Sequence, residues 1–335
     1  GPWAPGLRSH EKAAISLYVV VLVALLLAVF TLIEGSLARA LSVIKDNLAL
    51  VALSSTLIAS EEALKSTRFL VLSRASGRKL KFSSALEIHF SSLAVGVLTP
   101  AFSGSVPTAT AMIGDSLGLD VGEALSLALG VSFFDSAIPS LVVIAISWAY
   151  LPESALALLI ALVVLMAWSI AFSKRALGLV ASVLGAAVGR SGLAVAIREE
   201  AERFRKAFAR LTSDWKVFLL VASISIVAYF IESLSVLILA PNAGPYGLLK
   251  AFEALMLSYV GGNLPTPGGE GGVEYGLAII LPRAAVVLWR VSYLIVALTP
   301  LLIINKIVRS YLRYAAFSYN ALKQLAAGAS GEGRS

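Results

Sequence analysis

The sequence predicts an all-α polytopic membrane protein, with about six full spans and two re-entrant helical hairpins forming an inverted-topology repeat, both termini cytoplasmic. Three observations predict it. Of 335 residues, 58% are hydrophobic and the mean hydropathy is +0.87, and several apolar runs reach the ~20 residues a spanning helix needs. Two further apolar stretches, 83–118 and 247–282, are broken in the middle by Pro and Gly. Irregular backbone at membrane depth survives only where it is buried in protein or lines a cavity. Finally, Lys and Arg crowd into alternate connecting segments, the signature of cytoplasmic loops.

The elements follow in chain order. Residues 1–12 form an N-terminal cytoplasmic segment, and Gly1-Pro2 in place of a methionine reads as a tag-cleavage remnant. The run at 13–33 precedes Ala38-Arg39-Ala40 and superficially resembles a signal peptide, but it is too long for a typical signal core and is read as a retained span. Spans are expected at 46–64, 121–149, 154–173, 215–239 and 284–305. Lys65, Arg68, Arg74, Arg78, Lys79 and Lys81 mark one cytoplasmic loop, and Lys174, Arg175, Arg190, Arg198, Arg203, Arg205, Lys206, Arg210 and Lys216 a second. Lys306, Arg309, Arg313, Lys323 and Arg334 mark the C-terminal end, while the loops near 34–45, 150–153 and 240–246 hold only Arg39 and Lys45. With these sides fixed, 83–118 leaves and re-enters the cytoplasm and 247–282 begins and ends outside, each read as a re-entrant hairpin; a plain eight-span bundle with Pro/Gly turns at the surface also keeps both termini inside and is the alternative. The membrane domain covers 13–320, with repeat one at about 13–149 and repeat two at about 154–318. The order span, span, hairpin, span occurs in both, and sites in such folds lie where broken helices meet near the midplane. Within 174–214, Glu199–Arg203 and Glu202–Lys206 are i,i+4 pairs on an amphipathic pattern expected to lie on the cytoplasmic leaflet. The tail at 321–335 is read as disordered.

Composition excludes several classes. Cysteine is absent, and His10 and His89 are the only histidines, so neither a thiolate nucleophile, a Ser-His-Asp hydrolase nor a Cys/His metal site is expected. Glu61-Glu62 followed by Arg68 faintly resembles the paired glutamates of intramembrane metalloproteases; the spacing is wrong and that reading is rejected. The net charge of +7 sits between apolar runs and does not suggest nucleic acid. No enzymatic activity and no cofactor are expected.

The candidate site centres on the second hairpin. Pro265 and Pro267 end its incoming arm, and Gly268, Gly269, Gly271 and Gly272 permit a tight tip. A returning helix starting near Gly272 would place free N–H groups at mid-membrane, a ready anion site, with Glu274 in its first turn and Glu270 nearby. Arg290 lies deep in the last span, where a charge costs roughly 2.5–3.5 kcal/mol; its partner is Glu274, Glu270 or a lipid phosphate. In the first hairpin, Pro100, Ser103, Gly104 and Ser105 offer hydroxyls and backbone. Asp135 occupies roughly the place in the next span that Arg290 has in repeat two, so an Asp135–Arg290 pair is one expectation. His89 reads as a hydrogen-bonded packing residue rather than a proton carrier, and Glu232 as an interfacial residue.

The pattern Pro265-Thr266-Pro267-Gly268-Gly269-x-Gly271-x-x-Glu274, with Arg290 and Tyr293 after it, resembles the lysylphosphatidylglycerol synthase transmembrane region, also called the flippase-like domain family. The resemblance covers nearly the whole chain, and Pro100 through Pro107 and Asp135 sit where the family has its other motif. It implies movement of a lipid with a polar head between leaflets of the cell membrane. With Arg290 read as the head-group ligand, the expected cargo is a phosphate-headed lipid, a phospholipid or a polyprenyl phosphate, with Glu274 and Glu270 tuning the site or coupling it to a proton or cation. Two departures shift charge from the first hairpin to the second: Gly104-Ser105-Val106-Pro107 and Ala109 stand where the family carries Gly-Gly-Glu-Pro and an Arg, and Glu270 replaces an apolar residue. No aminoacyl-transferase domain follows, so synthase activity is not expected. Two alternatives share the plan: a proton-coupled transporter of a small solute, and a membrane scaffold for a glycosyltransferase.

Overall fold

The computed structural model describes residues 33–171, 213–240 and 246–303, with individual residues at 20, 24, 27, 28, 30, 31, 173, 202–204 and 206–209. The expectations for 1–12, for most of 13–33 and 174–214, for the end of repeat two after 303, and for the tail at 321–335 lie outside the described residues. Among the described residues the structure is all-helical. Helix α1 spans Leu37–Asp46, α2 Leu48–Ala75, α3 Phe82–Val97, α4 Ser105–Leu117 and α5 Val121–Ile146, which runs on as a short 3-10 turn, Ser147–Tyr150. Then come α6 Ala155–Ala171, α7 Trp215–Leu237, α8 Gly247–Gly261, the seven-residue α9 Gly272–Ala278, and α10 Arg283–Leu298, extended by a 3-10 turn Thr299–Ile303.

Among the described residues, three helices are long and apolar enough to cross a membrane: Val121–Tyr150, Trp215–Leu237 and Arg283–Leu301. The pair α1 and α2, bent by 77° at Asn47, passes the same test when taken together. Leu156, Leu159, Leu162 and Met166 of α6, and Leu219, Leu220 and Val227 of α7, are exposed. Water would disfavour so continuous an apolar surface; hydrocarbon does not.

Local chemistry explains the boundaries. Ser36 caps α1, its hydroxyl accepting from Arg39 N at 3.2 Å, and Asp214 caps α7 by accepting from Lys216 N and Val217 N. Helix α2 contains neither Gly nor Pro across its 28 residues, so nothing interrupts it until Ser76-Gly77, where Gly77 takes a left-handed φ of 74°. At 1.5 Å per residue it runs about 42 Å. The expected boundary at residue 64 is therefore wrong: Lys65 and Arg68 lie within the helix and are buried. The segment 34–45, expected as a loop, is largely helix α1.

Both broken stretches form helical hairpins, α3–α4 and α8–α9, and their tips meet. Pro100 and Pro267 form an antiparallel bridge, Ala101 N donates to Thr266 O at 3.2 Å, and Gly268 N donates to Thr99 O at 3.2 Å. The second tip depends on missing side chains. A Cβ on Gly272 would stand 2.1 Å from Gly261 O, and one on Gly269, whose φ is +66°, 2.6 Å from the Gly262 backbone. The first tip holds Ala101 and Phe102 at φ 49° and 55°, a conformation costing an L-residue roughly 1–2 kcal/mol. The last helix of each half packs on the other half's hairpin, α5 on α8 and α10 on α3, while α2 lies along α7. Along α2 the buried face passes from Val51 and Ile58 in one apolar cluster to Phe69 and Leu72 in another. Four charged residues, Glu61, Glu62, Lys65 and Arg68, fall between them.

Since the chain has no cysteine, tip pairing can be tested directly. Ala101→Cys with Thr266→Cys is expected to cross-link in membranes under mild oxidation, holding the two halves together on a non-reducing gel after proteolytic nicking between them. Halves that separate would show that the tips do not meet. Ala101→Gly should relieve left-handed strain and stabilise by about 1 kcal/mol in thermal unfolding.

Candidate functional site

Arg290 is wholly buried on α10. Its Nη2 donates to Gly268 O at 2.8 Å and to Glu270 Oε1 at 2.7 Å, and its Nε lies 2.8 Å from Glu274 Oε1 in an ion pair. Thus α10 is fastened to the second tip by one guanidinium and two carboxylates. Nη1 has no hydrogen-bond partner among the described residues. The Tyr293 ring, one turn along, has its centre 5.6 Å from the guanidinium carbon and stacks on Trp289.

Glu274 stands at the third position of α9, and its Oε2 accepts from Gly271 N at 2.7 Å. This is where a carboxylate favours a helix start. The same contact overturns the expectation of an anion site at that helix start. Gly271 N is taken by Glu274, and Gly272 N and Val273 N both donate to Gly269 O. The helix is also only seven residues long. Any anion here must be held by side chains.

A second set of charges surrounds α2. Arg68, with no exposed surface, grips Asp135 of α5 with both terminal nitrogens, at 2.6 and 3.1 Å, and also donates to Ser225 Oγ of α7. Asp135 precedes Pro139 by four residues in α5; proline has no N–H to give the Asp135 carbonyl, so the helix loses a hydrogen bond there. Glu62 Oε2 lies 2.5 Å from His89 Nε2 of α3. Lys65 Nζ lies 2.5 Å from Glu61 Oε1 and donates to the Tyr259 hydroxyl at 2.6 Å. Tyr259 in turn donates to Glu232 Oε2 at 2.7 Å. The rings of Tyr229 and Tyr259 face the same ammonium with centres at 4.8 and 4.7 Å.

Both sets open on one cavity of about 310 Å³. Ser103 and Ser105 of the first tip, Gly262, Asn263 and Val273 beside the second, and Asp135, Arg290 and Tyr293 line it, together with Glu62, Lys65, His89 and Tyr259. The side chain of Asp135 is 34% exposed, so its carboxylate is accessible as well as paired.

The residues anticipated from sequence converge, with corrections. Pro265, Pro267, Gly268, Gly269, Gly271 and Gly272 build the second tip, and Pro100, Ser103, Gly104 and Ser105 the first, where Gly104 N donates to Thr99 Oγ1. Arg290 pairs with Glu270 and Glu274 together, whereas Asp135 pairs with Arg68 rather than Arg290. His89 is a buried, hydrogen-bonded packing residue as expected, its partner being Glu62, whereas Glu232 is fully buried against Tyr259 rather than interfacial. Lys65, Arg68, Glu61 and Tyr259 were not anticipated. The signals were the Glu61–Lys65 i,i+4 spacing and the absence of any helix breaker up to Ala75.

Arg290→Ala strands two buried carboxylates and is expected to cost about 3–5 kcal/mol, read as a lowered unfolding midpoint in detergent; a midpoint like the parent's would mean that the clasp carries no stability. For Arg68 and Asp135, a double-mutant cycle with Arg68→Met and Asp135→Asn should return a coupling of roughly 0.5–3 kcal/mol. Additive effects would mean the pair is incidental. No family model matches the chain, and neither does any curated protein or solved structure.

Proposed function

We propose that the protein is a lipid translocase, moving a phosphate-headed lipid between leaflets through the cavity at the two hairpin tips while the lipid tail stays in the bilayer. The observation that carries this reading is Arg290: a wholly buried guanidinium lining the cavity, with Nη1 lacking a partner among the described residues. A guanidinium is the side chain best suited to phosphate oxygens. Lys65 supplies a second cation on the cavity wall, Ser103 and Ser105 supply hydroxyls, and about 310 Å³ suits a head group rather than a whole lipid.

The proposed membrane arrangement keeps six full spans, two re-entrant hairpins and cytoplasmic termini. Its support is the reciprocal packing of α5 on α8 and α10 on α3, as expected of halves related by an inverted repeat. Moving Lys65 and Arg68 into the protein interior still leaves Arg74, Arg78, Lys79 and Lys81 in the segment after α2, enough to hold that side cytoplasmic. The motif resemblance to the flippase-like domain family points the same way, with a phospholipid or a polyprenyl phosphate as cargo.

A second reading, a proton-coupled transporter of a small solute, is favoured by the carboxylates Glu62 and Asp135 on the same wall. Saturable uptake of a soluble substrate that responds to a proton gradient would select it.

Proteoliposomes carrying the purified protein test the lipid reading. Glu274→Gln keeps the shape of the tip, and Arg290→Lys keeps the charge but loses the fork. Each is expected to slow movement of a labelled phosphate-headed lipid by roughly tenfold or more, the loss of one charge-assisted hydrogen bond. Native mass spectrometry should show a co-purifying phosphate-headed lipid in the parent that Arg290→Lys loses. Parent-like rates in both variants would discard the reading.

A further inference from the structure

The buried charges around α2 do not balance at Lys65. Arg68 is matched to Asp135 by a two-point contact, and Glu62 Oε2 is engaged by His89 Nε2 at 2.5 Å, a hydrogen bond that a neutral or a protonated ring can make. That leaves one ammonium, Lys65, between two carboxylates: Glu61 Oε1 at 2.5 Å and Glu232 Oε2 at 3.9 Å. Tyr229 and Tyr259 present rings and hydroxyls but no counter-charge, and Tyr293 of α10 adds only another phenol to the cavity wall. Arg290 is engaged with its own pair, Glu270 and Glu274.

Neither Glu61 nor Glu232 has exposed surface. Glu61 Oε2 and Glu232 Oε1 are each buried with no hydrogen-bond partner among the described residues. A buried ionised carboxylate with an unsatisfied oxygen is costly, and the protein's usual remedy is to neutralise it. A metal cation would be the wrong remedy, because the Lys65 ammonium already stands beside both carboxylates and would repel it. A proton answers both deficits, removing the surplus charge and supplying a missing donor.

We infer that Glu61 and Glu232, flanking Lys65, form a proton-binding site that holds one proton between them at neutral pH. The site adjoins the cavity, since Lys65 and Tyr259 belong to its wall, and Tyr259 joins Lys65 to Glu232 by hydrogen bonds. It stands independently of which cargo the cavity takes.

Infrared difference spectroscopy of the purified protein, in light and heavy water, reads the proton directly. At neutral pH the parent should show a deuterium-sensitive C=O band from a protonated carboxyl. Subtracting Glu61→Gln or Glu232→Gln should reveal that band lost in either variant, because the remaining carboxylate then balances Lys65. Lys65→Met should do the opposite: without the ammonium both carboxyls become neutral, and the band grows by about as much as either glutamine variant loses, the change expected from one protonated carboxyl in this cluster to two. An unfolded variant would ionise its carboxyls and lose the band, so growth in Lys65→Met cannot come from misfolding. The inference is overturned if the parent lacks the band, if either glutamine variant keeps it in full, or if the band fails to grow in Lys65→Met. It is also overturned if exchanging potassium for sodium abolishes the band in the parent, since a metal cation would then be the true occupant.

Discussion

A charged side chain enclosed by helices in a membrane has no water to turn to, so every buried charge must be answered from another element of the same chain. The structure is arranged around that constraint. Arg290 ties α10 to the second tip through Glu270 and Glu274. Arg68 ties α2 to α5, Glu62 ties α2 to α3 through His89, and Lys65, Tyr259 and Glu232 tie α2 to α8 and α7. Hydrocarbon tails are as apolar as leucine, so burial alone does little to select one helix neighbour over another. Polar clasps of this kind fix which faces meet, because a misplaced face leaves charge unpaired. The helix carrying the most clasps among the described residues, α2, runs 28 residues without Gly or Pro.

How much of this could be read beforehand depends on the range of each interaction. The second tip was legible because its determinants are local: two prolines, four glycines and a glutamate at the third helical position specify a turn and a cap within ten residues. The depth of Arg290 in an apolar span announced a partner, and the candidates were few enough to include both true ones. The end of α2 was misplaced because charge was treated as the mark of a loop. Lys65 and Arg68 look like loop residues only until Glu61, Glu232 and Asp135 are brought to them by folding, and two of those three lie at least 67 residues away. The same cause hid Tyr259 and misassigned Glu232. Long-range pairing has no signature in a single sequence beyond the surplus of charge that needs pairing.

The two hairpins differ in a way that bears on how the tips work. The second is built from glycines that take left-handed backbone at no steric cost and let Gly261 and Gly272 approach closely. The first reaches a similar tight tip with Ala101 and Phe102 in left-handed conformation, so its geometry is maintained partly by what it contacts. What it contacts is the second tip, through the bridge at Pro100 and Pro267. The first tip therefore carries conformational strain and the second carries charge. Together they wall one cavity.

Charge on that wall decides what a phosphate would need in order to enter. Lys65 and Arg290 face the cavity, but so do Glu62 and Asp135. Behind them Glu61, Glu232, Glu270 and Glu274 outnumber the remaining cation, Arg68. An anion arriving at Arg290 Nη1 thus meets a guanidinium already shared by two carboxylates, in a surround that is acidic if every carboxyl is ionised. Attraction by one unbonded NH2 group does not overcome several like charges at low dielectric. The balance turns once protons occupy the surplus carboxyls, because each proton removes a repulsion without displacing a clasp. In the translocase reading, then, proton occupancy of the Lys65 cluster and anion occupancy of the cavity favour one another. By reciprocity, whatever anion binds there must raise the proton affinity of Glu61 and Glu232 by the same factor.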